Sequence, residues 1–163
     1  MIGMQKQDHG KSCEELRISM ENRAALIYCF VKAARDMGLD YLALGHRAMF
    51  ESGREKAQTF FTPTDRVDEF SREYMISETL QAFDGRILAC TETCLVEEST
   101  YCPLVAAWQK MTDDESFMRD LCDIAMSGDR GIMSCYPEFS FTLAGTIFDS
   151  GGKCAVRVEK KGK

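Results

Sequence analysis

The chain has 163 residues, of which 45% are hydrophobic and 28% charged, as is ordinary for a single globular domain. Its 26 Asp and Glu residues outnumber its 20 Lys and Arg residues, and the net charge of -6 disfavours binding to nucleic acid, because phosphate recognition needs a basic face. No apolar run approaches the roughly 20 residues of a membrane span, and residues 1–16 lack the apolar core of a signal peptide. We therefore expect a cytoplasmic protein that binds neither nucleic acid nor a membrane.

Two long helices are predicted after a polar, frayed segment at residues 1–11, and one domain is expected over residues 12–160. The first helix begins at Ser12, a good N-cap, and runs to about Met37, before Gly38. The second spans about residues 40–60. The residues with helical spacing are Leu16, Met20, Ile27, Phe30, Val31 and Ala34 in the first helix, and Leu42, Ala43, His46, Met49 and Phe50 in the second. The same spacing places Arg23 on the apolar face of the first helix.

The middle and last parts of the chain alternate between strand and helix patterns. A short helix to about residue 72 is followed by strand candidates at 75–83 and 86–96, around the turn signal Asp84-Gly85. Helices are predicted at 103–111 and at 115–126, the second of them ended by the segment 128–131. The last hairpin pairs 138–148 with 153–160. This order predicts an α+β fold, with helices packed on one face of a four-stranded antiparallel sheet made of two hairpins.

The eight cysteines raise the question of disulfides or zinc. A disulfide framework is disfavoured, since such domains are shorter, richer in Cys and secreted. Cys29 and Cys122 lie within apolar helical patterns and are expected in the core. Cys90 and Cys94 would lie about 13 Å apart on a strand, too far to share one zinc ion. We expect no metal, although a zinc site built from Cys94, Cys102, Cys135 and Cys154 is an open alternative.

Cys102 is the strongest candidate nucleophile in the sequence. Pro103 places it at the N-cap of a helix, where exposed N–H groups and the helix dipole favour a thiolate. The alternative is a buried cysteine at the junction of two elements. The modification of its thiol as a function of pH would distinguish the two.

Four other residues are candidates for the chemistry of a site. His46 could act as a base near neutral pH, or it could be a hydrogen-bonded core residue. Arg23 could bind a substrate carboxylate, pair with an internal acid or extend to the surface. Asp123, on the polar side of its helix, and Asp129, in the loop beyond, could each orient a water molecule; capping or surface roles are the alternative.

Several short motifs, in a consistent order, resemble one enzyme family. They are Asn22-Arg23-Ala24-Ala25 with Tyr28 and Gly38, Cys102-Pro103-Leu104, Leu121-Cys122-Asp123, and Gly151-Gly152-Lys153-Cys154. Together they resemble the L-2-amino-thiazoline-4-carboxylic acid hydrolase family over about residues 15–160. The closing Gly-rich turn is also similar to the vinyl-4-reductase type of small-molecule-binding domain, which combines helices with an antiparallel sheet.

The resemblance implies hydrolytic opening of a cyclic thiazoline carboxylate to an N-carbamoyl cysteine, without a cofactor. In that reaction Asp123 or His46 would be the base, Cys102 the nucleophile or proton donor, and Arg23 the carboxylate clamp. The alternative function is a non-catalytic small-molecule-binding or sensor domain, with a pocket lined by Met and Phe. A weaker alternative is an interaction subunit whose helices dimerise. A homodimer is expected in either case.

Overall fold

The computed structural model describes residues 11–149 and 151–162. Its elements in chain order are α1 (Lys11–Asp36), α2 (Tyr41–Phe60), α3 (Val67–Tyr74), α4 (Ser77–Ala82), β1 (Gly85–Cys90), β2 (Cys94–Ser99), α5 (Pro103–Gln109), α6 (Glu115–Met133), β3 (Phe139–Gly145) and β4 (Cys154–Lys160). The frayed segment predicted at residues 1–11 lies, apart from Lys11, outside the described residues.

The four strands form one antiparallel sheet in the order β1-β2-β4-β3. The hairpins β1-β2 and β3-β4 meet along β2 and β4, where Leu95 pairs with Val158 and Glu97 with Val156. These four side chains are buried and lie on one face of the sheet, because paired residues of antiparallel strands point to the same side. The predicted α+β class, with its four-stranded antiparallel sheet of two hairpins, is confirmed.

The chain divides into two compact units. The first contains the described residues up to Arg17, Phe60–Cys102 and the residues from Tyr136 onwards. In it α3 packs against β1, β2 and β4, and α4 packs against β1. Phe70 of α3 lies at the centre of an aromatic cluster, with its ring centroid 4.8 Å from that of Tyr136 and 5.7 Å from that of Phe139.

The second unit contains Ile18–Thr59 and Pro103–Cys135, and therefore most of α1 with α2, α5 and α6. Its core is fixed by directional contacts as well as by apolar packing. The indole Nε1 of Trp108 donates to the carbonyl oxygen of Ala24 at 2.9 Å. The ring of Phe117 meets those of Tyr28 and Tyr41 edge to face, with centroids 5.6 Å and 5.9 Å apart.

The strand predicted at 75–83 was wrong, because Ser77–Ala82 forms α4. The turn signal Asp84-Gly85 is real, with Asp84 at a φ of 49°, but it connects α4 to β1. The first hairpin, β1 with β2, has its turn inside the segment predicted as one strand, 86–96. It turns at Thr91–Thr93, where the hydroxyl Oγ1 of Thr91 accepts from the N–H groups of Thr93 and Cys94 at 3.3 Å and 3.1 Å.

The predicted buried faces of α1 and α2 were partly wrong. Phe30 is 68% exposed, Cys29 and Arg23 are also exposed, and the arginine on the buried face of α1 is Arg17. Cys29 is therefore not a core residue. The buried residues of α2 are small, namely Gly45, Gly53 and Ala57, whereas His46 is only half-buried.

Candidate functional site

Helices α2 and α6 approach each other so closely that backbone contacts backbone. A Cβ atom on Gly53 would lie 1.8 Å from the carbonyl oxygen of Gly128, and one on Gly131 would lie 2.0 Å from that of Phe50. Only glycine fits at Gly53 and Gly131 with this helix spacing. Along both helices the contacts advance in the same direction, from Gly45 against Ile124 to Phe50 against Gly131, so α2 and α6 run parallel.

His46 lies on the side of α2 that faces α6. Its ring Nδ1 is 2.8 Å from the hydroxyl Oγ of Ser127, and its Nε2 is 3.5 Å from Oδ2 of Asp123. The imidazole is 33% exposed and the Asp123 carboxylate 56% exposed, whereas Ser127 is buried. The buried hydroxyl of Ser127 thus fixes the ring on one side, and part of the ring remains accessible to solvent.

Arg130 completes the cluster from the next turn of α6. Its Nη2 donates to Oδ1 of Asp123 at 2.7 Å, and its Nη1 donates to Oγ of Ser127 at 3.2 Å. Residues 123, 127 and 130 share one helical face, because they are four and then three positions apart. One carboxylate oxygen of Asp123 therefore faces the imidazole of His46, and the other accepts from the guanidinium of Arg130.

Two hydrogen-bonding schemes fit this geometry. With the proton on Nδ1, His46 donates to Ser127 and presents the lone pair of Nε2 beside Asp123. With the proton on Nε2, the ring faces the carboxylate and Nδ1 accepts from Ser127, in the serine–histidine–carboxylate order used by many hydrolases. Only the first scheme leaves a nitrogen of the neutral imidazole, Nε2, that can take a proton from water, because in the second scheme Nδ1 is engaged by Ser127.

A second polar contact anchors α2 to α6 one turn before His46. The hydroxyl of Tyr41 donates to Oδ2 of Asp120 at 2.7 Å. This hydrogen bond to a carboxylate raises the pKa of the Tyr41 phenol above its ordinary value. Tyr41 therefore stays protonated near neutral pH and holds the start of α2 in place.

The structure brings together two of the residues predicted from the sequence, His46 and Asp123. The prediction that Asp129 lies in a loop was wrong. Because α6 continues to Met133, Asp129 is a half-buried helical residue. Cys102 is half-buried, directly before α5, and belongs to the first unit, whereas His46 and Asp123 belong to the second. Arg23 is exposed on α1.

Sequence reasoning missed Ser127 and Arg130. The signal was present in their spacing of four and seven residues from Asp123. It was hidden because Gly128 and Gly131 indicated the end of a helix, whereas both lie within α6, where Gly131 allows close packing against α2.

Metal chemistry has no obvious ligand set in the part of the chain that the structure describes. Within residues 11–149 and 151–162, no three or more His, Cys, Asp or Glu side chains are grouped so that they could hold a metal ion. The eight cysteines, all of which lie in these ranges, form no disulfide. Nor is any helix of the described chain both long and apolar enough to traverse a bilayer.

The fold and the site define an α+β protein with a histidine–carboxylate cluster on two adjoining helices. Residues 18–158 match the family model described as L-2-amino-thiazoline-4-carboxylic acid hydrolase, and the chain belongs to this family. The search of curated proteins gave no match. The search of solved structures gave none either.

Proposed function

We propose that this protein is a hydrolase that opens a small cyclic amidine or thiazoline carboxylate with water, with His46 as the general base. One observation carries the proposal: the half-exposed imidazole of His46 lies between a buried hydroxyl and a carboxylate, 2.8 Å from Oγ of Ser127 and 3.5 Å from Oδ2 of Asp123. A base needs a fixed ring and access to water, and this position provides both. The family match supports the substrate class.

The reaction requires water to add to the ring carbon that lies between nitrogen and sulfur. His46 takes a proton from water while the oxygen bonds to this carbon, and the imidazolium then gives that proton to the ring nitrogen. His46 next takes the proton of the new hydroxyl as the carbon–sulfur bond breaks and returns it to the sulfur, which leaves as a thiol. One water molecule is consumed, and an N-carbamoyl cysteine forms. Asp123 stabilises the imidazolium that exists between the two proton transfers.

The substrate carboxylate needs a cation close to the base. Arg130 is the cation beside His46, and its guanidinium is 42% exposed. Its bonds to Asp123 and Ser127 use Nη1 and Nη2, and a guanidinium has five N–H groups in all. We assign to Arg130 the binding of the substrate carboxylate. The roles predicted from the sequence for Cys102, as nucleophile or proton donor, for Asp129, as an orienting acid, and for Arg23, as a clamp, remain hypotheses for the same assay.

The test is turnover of aminothiazoline carboxylate by the purified protein. The released thiol is measured in a protein-free filtrate, so that the eight cysteines of the chain do not contribute. We expect His46→Gln to lower kcat by about 100-fold or more, as is typical when a general base is lost. Asp123→Asn should lower kcat, and Arg130→Gln should mainly raise KM. Cys102→Ser, Asp129→Asn and Arg23→Gln test the sequence-based roles.

Glu51→Gln is the matched control, since Glu51 also lies on α2 and its side chain, 45% exposed, is paired to Arg54. It should leave kcat unchanged. Wild-type activity in His46→Gln would refute the role of His46. Binding of the substrate without turnover would refute the hydrolase and favour a small-molecule-binding or sensor domain. We place the reaction in the cytoplasm, where thiols stay reduced, in keeping with eight cysteines that form no disulfide.

A further inference from the structure

The hydroxyl of Ser127 is the point at which the polar contacts between α2 and α6 meet. Its Oγ lies 2.8 Å from Nδ1 of His46 and 3.2 Å from Nη1 of Arg130. It also lies 3.5 Å from the backbone carbonyl oxygen of Asp123, which is 3.3 Å from Nη1 of Arg130. Because Ser127 is buried, its hydrogen bonds are made within this cluster. The direction of its one hydroxyl proton therefore decides which nitrogen of His46 is protonated.

The chemistry of its neighbours favours one direction for the Ser127 proton. A guanidinium can only donate and a carbonyl oxygen can only accept, so Arg130 donates to Oγ and the carbonyl of Asp123 accepts from it. A serine inside a helix commonly makes this bond to the carbonyl four residues before it. One lone pair of Oγ is then used by Arg130, and the second faces Nδ1 of His46. In this arrangement Nδ1 carries a proton and donates it to Ser127.

The distance on the other side of the imidazole agrees with this assignment. Nε2 of His46 lies 3.5 Å from Oδ2 of Asp123. A nitrogen that donates to a carboxylate lies about 2.7–2.9 Å from its oxygen. The same carboxylate makes such a short bond where a donor is present, since its Oδ1 accepts from Nη2 of Arg130 at 2.7 Å. The longer distance indicates that Nε2 of the neutral ring has a lone pair and no proton.

We propose that Ser127 is a positioning residue that holds His46 as the Nδ1–H tautomer, so that Nε2 is the atom that takes the proton. This inference rests on the proposed function, which makes water the source of that proton. When Nε2 becomes protonated, the bond from Nδ1 to Ser127 is unchanged and the new N–H faces Asp123. With the opposite tautomer, the Ser127 hydroxyl would have to turn away before Nδ1 could accept a proton. A site whose hydrogen bonds need no rearrangement has a lower barrier.

Nitrogen NMR of the His46 ring tests the tautomer without any need for turnover. A ring nitrogen that lacks a proton resonates far downfield of one that carries it, so the neutral ring shows which nitrogen is protonated. The other histidine of the chain is His9, and His9→Gln removes its signals. We expect the proton on Nδ1 in the wild type. In Ser127→Ala it should move to Nε2, because Nδ1 has lost its acceptor and Asp123 remains. A proton on Nε2 in the wild type would overturn the proposal, as would an unchanged tautomer in Ser127→Ala.

Kinetics with aminothiazoline carboxylate separate positioning from structural support. Ser127→Ala should lower kcat about 10-fold, the worth of one hydrogen bond to a buried group, and leave KM nearly unchanged. Ser127→Thr keeps the hydroxyl and should keep the wild-type tautomer and most of kcat. Ser134→Ala is the matched control, because Ser134 is the C-cap of α6 and its Oγ donates to the carbonyl oxygen of Gly131 at 2.6 Å. This control should change neither the tautomer nor kcat.

The failure of this inference and the failure of the proposed function give different results. A wild type that does not turn over aminothiazoline carboxylate refutes the hydrolase, while the NMR spectrum still reports the tautomer. An active wild type whose kcat is unchanged in Ser127→Ala refutes the positioning role of Ser127 and leaves the hydrolase intact.

Discussion

The guanidinium of Arg17 lies 2.7 Å from the carboxylate of Asp84, and water reaches almost none of either side chain. Nε of Arg17 also donates to the carbonyl oxygen of Ala82 at 2.9 Å, and its Cζ lies 4.5 Å from the centre of the Tyr101 ring. The first turns of α1 are thereby joined to the turn between α4 and β1. A charge in this position is tolerated only because it has a partner.

Removing one member of this pair should destabilise the protein strongly. We expect Asp84→Asn to cost about 3–5 kcal/mol in the free energy of unfolding, because it leaves Arg17 charged and buried. Asparagine tolerates the left-handed backbone of Asp84, so the substitution isolates the charge. Urea unfolding measures the effect. The pair of Arg86 and Glu98 provides the control: the Arg86 side chain is 64% exposed and Glu98 keeps Lys153 as a partner, so Arg86→Gln should change the midpoint little. Equal effects of the two substitutions would contradict this prediction.

The glycines between α2 and α6 should respond unequally to alanine. Gly53→Ala and Gly131→Ala place a Cβ within 2.0 Å of a backbone oxygen and should cost at least 1–3 kcal/mol, the usual range for overpacking. At Gly128 the nearest atom would be 3.6 Å away, an ordinary contact. Gly128→Ala should therefore be neutral or stabilising, as alanine favours a helix. Thermal unfolding of the three variants tests this order, and a destabilised Gly128→Ala variant would contradict it.

Asp114 makes the stability of α6 depend on pH. Its carboxylate accepts the N–H of Phe117 at the start of α6, and this bond holds the pKa of Asp114 below its ordinary value of 3.8. Folding thus favours the ionised form of Asp114. Its contribution to the free energy of unfolding is complete above the pKa of the unfolded chain and is lost as the pH falls through the lower pKa of the folded protein. We expect Asp114→Asn to lower Tm at pH 7. The difference from wild type should shrink as the pH falls below 4; a constant difference would contradict the prediction.

Two cysteines of α1 should differ sharply in alkylation. Cys29 is exposed, whereas Cys13 is buried and its Sγ contacts the carbonyl oxygen of Gln81 at 3.4 Å. With limiting iodoacetamide at pH 8, mass spectrometry should find Cys29 modified in the native protein and Cys13 unmodified. Both should react in urea. Protection of Cys29 in the native state would contradict its exposed position.

The α+β class could be predicted because periodicity in the sequence reports which elements exist. The position of the first hairpin could not be predicted in the same way. Asp84-Gly85 has the composition of a hairpin turn, whereas the actual turn at Thr91–Thr93 contains no Gly, Asn, Asp or Pro. A threonine hydroxyl closes that turn, and such a contact has little compositional signature.

The residues of the candidate site could also be predicted only in part. His46 and Asp123 stood out by residue type and helical position, and they do lie together. Ser127 and Arg130 were missed because they join the site only if α6 continues past Gly128 and Gly131. Arg17 was missed as well, because an ionic side chain on a buried face becomes intelligible only with its partner Asp84, which is 67 residues away. Contacts between distant segments carry information that local pattern does not contain.

The glycine contact between α2 and α6 also limits how this protein can vary. No side chain at Gly53 or Gly131 is available to absorb a change, so the distance between the two helical backbones is effectively fixed. Under the proposed function, a change in the size of the substrate must therefore be accommodated by the exposed side chains around His46, not by spreading the helices. Mutational libraries aimed at new substrates should accordingly spare these glycines and randomise the exposed positions on either side of them.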